Sequence, residues 1–67
     1  MTKISKNKKE LILYKYKEYE FCAEQHKLDG NIHMHEIYIA RLEEIRMMLF
    51  LLEIYIDGIN QEEKKGE

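Results

Sequence analysis

Between residues 8 and 28 the positions Ile12, Tyr16, Tyr19, Ala23 and His26 recur at alternating steps of four and three. That spacing brings side chains onto one stripe of an α-helix. Neither proline nor glycine interrupts the run, so it predicts a first helix over 8–28. The segment KLDGN then supplies a stop and a restart. Gly30 can take the left-handed conformation that ends a helix, and Asn31 can cap the next by accepting from a free N–H of its first turn. A second helix is predicted over 32–57, with a turn at 29–31. Gly58 is placed as its C-terminal cap, Ile59 folds back on its last turn, and a polar tail frays over 60–67.

Two helices joined by so short a turn lie antiparallel. The fold class expected is therefore all-α, a single antiparallel two-helix hairpin domain over 1–67. The second helix carries one stripe of Met34, Tyr38, Leu42, Ile45, Met48, Leu49, Leu52, Tyr55, Ile56 and Ile59. A second arc adds Ala40, Met47, Leu51 and Ile54, leaving Glu36, Glu43, Arg46, Glu53 and Asp57 as the wet strip. The first helix has a subsidiary line, Tyr14, Phe21 and Leu28, at intervals of seven. Both helices thus carry more apolar surface than one mutual contact can hide.

Burial is worth about 25 cal/mol per Å² of apolar surface, and a whole domain is stable by only ~5 to 15 kcal/mol. A 67-residue chain also buries too little surface to fold comfortably without a staple. The expected remedy is a homodimer in which two hairpins form a four-helix bundle. Ile45, Met47, Met48, Phe50, Leu51, Leu52, Ile54 and Tyr55 are its predicted assembly contacts. Tyr14, Phe21 and Leu28 form the line available to a second, larger protein partner. Arg41 falls at the angular position of the apolar stripe. Two readings remain open for it: a register-fixing pair with Glu18 or Glu44, or a guanidinium snorkelling at the bundle edge.

Composition changes this picture in three places. The single cysteine, Cys22, removes any intrachain disulfide and suits a reducing compartment. MTKISKNKKE has no apolar core of a secretory signal, and the one strongly apolar run is too short and too charged to span a membrane. A cytoplasmic protein is expected. The formal net charge is −2, yet Lys3, Lys6, Lys8, Lys9, Lys15 and Lys17 have only Glu10 among them, so a basic head precedes an acidic body. The wealth of Lys, Ile, Glu and Tyr fits an AT-rich coding sequence, such as that of a low-GC bacterium, its phage or another mobile element.

Three kinds of chemistry can be set against these residues. Cys22, His26, His33 and His35 are of zinc-binding type. Cys22 and His26 share a helix face at i and i+4, and the turn can return His33 beside His26. His33 and His35, however, point to nearly opposite sides if both are helical, and the spacing matches no established finger; no cofactor is expected. Lysines alternating with tyrosines in KNKKELILYKYKEY suggest phosphate contacts with base stacking, although on a helix Tyr16 and Tyr19 belong to the packing stripe. Catalysis is not expected. Ser5 is the only serine, the carboxylates lie along wet faces, no glycine-rich phosphate loop is present, and two helices enclose no pocket.

In length and hairpin plan the chain resembles the plasmid RNA-binding regulator Rop, a dimer of helical hairpins. The likeness is architectural and carries over no RNA-contacting residue. The hairpin phosphatases of spore-forming bacteria bear Ser-Gln-Glu-Leu-Asp on their second helix; ARLEEI stands there in this chain, and that assignment is rejected. The function expected is a small protein-binding regulator or inhibitor acting through an apolar helical face. The alternative is a small nucleic-acid-binding regulator using the basic head.

Overall fold

The computed structural model describes residues 4–61. Its two helices are α1, Lys6–Leu28, and α2, Ile32–Leu51, packed against each other as a hairpin. No strand forms among the described residues; the one β-type pairing is an isolated bridge between Asp57 and Gln61. The expected all-α, two-helix plan is the one observed.

α1 begins two residues before the expected start at 8 because Ser5 caps it, the hydroxyl accepting from the Lys8 N–H at 3.2 Å. Its C-terminus closes in a Schellman arrangement. Gly30, at φ 81°, donates to the Lys27 carbonyl, and Asn31 donates to that of His26 at 2.8 Å. Asn31 then caps α2, its side-chain oxygen accepting from the Met34 N–H at 3.2 Å. One residue thus closes one helix and opens the next, which keeps the turn short and the helices antiparallel.

α2 stops at Leu51, not at Asp57. The apolar pattern runs on at helical spacing through Ile54–Ile56, but the backbone turns out of the helix at Glu53, whose φ is +57°. Glu53 donates to the Phe50 carbonyl and Ile54 to that of Leu49 at 2.9 Å, the pair of bonds that defines a Schellman close. Burial favours this exit. Ile54 and Ile56 leave the helix and sink with Leu49 into one cluster, packed by Ile4, Ile12, Leu13, Ile45 and Ile59.

Gly58 is accordingly not the cap of α2. At φ +95° it turns the C-terminal segment, and a Cβ built there would lie 3.2 Å from Leu13 Cδ1. Asn60 belongs to the fold, contrary to the expected fraying. Its side-chain oxygen accepts from the Ile56 N–H and its amide donates to the Ile54 carbonyl, each at 2.9 Å. The remainder of the expected tail, 62–67, lies outside the described residues.

The interhelical seam is the predicted α1 stripe. Tyr16 and Ala23 are buried, and Ile12, Tyr19 and His26 are half-buried. Leu42 and Leu49 of α2 are buried opposite them. Ala23, having only a methyl group, admits the His35 ring, whose Nδ1 lies 2.8 Å from the Ala23 carbonyl oxygen. Tyr38 sits between Tyr19 and His26, at ring-centroid distances of 5.7 and 5.6 Å, and stacks on the imidazole.

Candidate interaction surfaces

Three surfaces combine exposure with chemistry. The first is the outer face of α1, where Tyr14, Phe21 and Leu28 are 68%, 64% and 70% exposed. At 100° per residue these positions lie nearly opposite Tyr16 and Ala23. Leu11, also exposed, extends the surface by a turn; it belongs neither to the packing stripe nor to the line of Tyr14, Phe21 and Leu28.

The second is the C-terminal half of α2 with the residues just beyond it. Met47, Met48, Phe50, Leu51, Leu52 and Tyr55 are all exposed, as predicted assembly contacts need to be. Two members of that predicted set are placed otherwise. Ile54 is buried in the chain's own core, an outcome of the early end of α2, and Ile45 packs half-buried against it. Ile32, at the other end of α2, is a further exposed apolar side chain.

The third is a groove of about 560 Å³ between the helices. Ile12, Tyr19, Ile45, Leu49 and Ile54 give it an apolar lining, Met48 and Leu52 flank it, and Lys15, Arg41 and Glu44 supply charge. Two helices alone were expected to enclose no pocket; this groove is open to solvent, and Ile54 of the returning segment joins the two helices in lining it. Arg41 is exposed, in line with the edge position and not with a buried pair. Neither Arg41 nor Glu44 has an ion-pair partner among the described residues.

The zinc-type residues have other occupations. His35 bonds Ala23, His26 stacks on Tyr38, Cys22 is half-buried and His33 is exposed. Among the described residues no three His, Cys, Asp or Glu side chains are grouped to hold a metal ion. In the basic head, Lys6, Lys8, Lys15 and Lys17 are exposed and Lys9 half-buried, while Lys3 lies outside the described residues. Lys15 meets Glu18 at 3.2 Å and Lys17 meets Glu20 at 3.5 Å. The hydrogen bond and charge of Glu18 raise the Lys15 pKa above its ordinary value. Two of the six lysines are thus matched by carboxylates one helical turn on, which weakens the field a phosphate backbone would meet.

No described helix is long and apolar enough to cross a membrane. No protein-family model, curated protein or solved structure matches the chain.

Proposed function

We propose that this chain is a small protein-binding regulator or inhibitor that assembles as a homodimeric four-helix bundle and docks a larger protein through an apolar helical face. The observation that supports this reading is the exposure of large apolar side chains on both helices, Phe21 and Phe50 above all, at 64% and 66%. Folding of one chain leaves them in water, and only association removes them from it. Division of labour follows from position: α2 supplies the assembly contacts, and Tyr14, Phe21 and Leu28 remain for the partner. Four methionines in the chain, of which Met47 and Met48 are exposed on α2, suit a surface that adapts to its contacts.

The test is affinity capture from the source cell with wild-type protein, Phe21→Glu and, as a surface control, Lys17→Glu. The expected result is one specific protein retained by wild type and control and lost with Phe21→Glu. Retention of the same protein by Phe21→Glu would show that the α1 line is not the docking surface. Regulation through nucleic acid predicts instead a salt-sensitive affinity for RNA or DNA that is abolished by Lys8→Glu with Lys9→Glu.

A further inference from the structure

Six residues of α2 follow one another at steps of three and four along a single line: Met34, Ile37, Arg41, Glu44, Met48 and Leu51. Steps of this kind make the seam of a coiled coil. The line sits about a third of a turn round the helix from Leu42 and Leu49, which face α1. It is open to solvent at its centre and C-terminal end, where Arg41, Glu44, Met48 and Leu51 are exposed, and half-open at Met34 and Ile37. Arg41, Glu44 and Met48 of this line also flank the interhelical groove.

The order of residues along this line reads as its own complement in reverse. We propose that the occupant of this face is a second copy of the chain, its α2 running antiparallel to the first about a twofold axis between Leu42 and Glu43. In that register Arg41 faces Glu44 of the second copy and Glu44 faces its Arg41, Ile37 meets Met48, and Met34 meets Leu51. The axis lies within one residue of the midpoint of α2, Ile32–Leu51, so the two helices overlap over nearly their whole length. Parallel, in-register pairing sets Arg41 against Arg41 and Glu44 against Glu44, and a slip by a turn moves a charge against a methionine. The two central ion pairs therefore select both direction and register, as polar residues in coiled-coil seams do. This inference rests on the homodimer reading and adds to it an orientation and a pairing; of the expected assembly contacts it takes Met48 and Leu51 into the seam and leaves Phe50, on the far side of α2, outside it.

Charge reversal tests it. In the proposed pairing Arg41→Glu sets two acid–acid pairs across the seam and Glu44→Arg two base–base pairs, so each variant repels itself and attracts the other. Self-association is measured by sedimentation equilibrium for wild type and each variant, and the 1:1 mixture by native mass spectrometry with one variant isotope-labelled. Circular dichroism checks that each variant stays helical. The expected result is a wild-type dimer, a dissociation constant raised about tenfold or more in each variant alone, and heterodimer in clear excess over both homodimers in the mixture. A wild-type monomer would overturn the homodimer reading and this pairing with it. A dimer that both variants leave intact, mixing statistically, would keep the homodimer and overturn the pairing. Helical variants that each lose the dimer and do not recover it on mixing would overturn the pairing as well.

Discussion

The Tyr16 hydroxyl accepts from the Arg46 Nε–H at 2.7 Å, joining residues thirty apart across the two helices. Tyr16 is the most buried large side chain, at 1% exposure, whereas Arg46 lies at the surface. That difference makes the two ends of the bond unequal. In Tyr16→Phe the guanidinium is left where water reaches it, so the expected loss is about 0.5–1.5 kcal/mol, the net worth of one hydrogen bond. In Arg46→Met the aliphatic stem is retained and a buried hydroxyl loses its donor, which costs about 1–3 kcal/mol. Urea denaturation of both variants at one protein concentration checks the order; a Tyr16→Phe loss exceeding that of Arg46→Met would contradict it.

Glu53 and Gly30 hold equivalent places at the ends of α2 and α1, both with positive φ, 57° and 81°. Only the glycine is free of the penalty for a Cβ in that region, about 1–2 kcal/mol. Glu53→Gly is therefore expected to stabilise the fold by about 0.5–1 kcal/mol after allowance for the freer unfolded chain. Gly30→Ala is expected to cost about 1–2 kcal/mol from backbone strain, since the added methyl would meet nothing within 4 Å. A shifted urea midpoint at constant slope would register each change.

The same two helix ends show how far the sequence could be read. The first was legible, because Gly30 and Asn31 are the residue types that such a turn demands and no apolar pattern crosses it. The second was not. Ile54 and Ile56 continue the spacing of α2, and the residue that breaks it is a glutamate, with no preference for left-handed backbone to announce the exit. What ends the helix is a tertiary gain, the burial of both isoleucines beside Leu49, which no local window contains. Tyr16 and Ala23 were legible as core from periodicity alone. Arg46 was assigned to the wet strip, and its side chain does begin there; its bond to Tyr16 depends on the rotation of one helix against the other. Phe21 and Phe50 are exposed, whereas Ile54 is drawn into the core by the early end of α2 and Ile45 packs half-buried against it.

His35 makes the other polar link between the helices. Its partner, the Ala23 carbonyl, only accepts, so Nδ1 carries the proton in the bond at 2.8 Å. Long-range proton–nitrogen NMR spectra of neutral His35 are expected to show protonated Nδ1 and bare Nε2. A predominance of the Nε2–H tautomer would mean that the bond is absent in solution. Exposed His33 serves as the internal comparison.

The returning segment offers a prediction confined to a few atoms. Asn60 holds it through both ends of one side-chain amide, bonding the Ile56 N–H and the Ile54 carbonyl. The Ile54 N–H is secured separately, by the Leu49 carbonyl. Asn60→Ala removes the first two bonds and leaves the third, at a cost of about 1–3 kcal/mol. Amide hydrogen exchange should then show the Ile56 N–H losing protection by far more than that of Ile54. Ile56→Ala, by contrast, takes a buried side chain from the cluster and is expected to cost about 2–5 kcal/mol, with protection falling at both amides. Equal protection of Ile56 in wild type and Asn60→Ala would show that the apolar contacts alone hold the segment, and that the amide of Asn60 adds nothing to them.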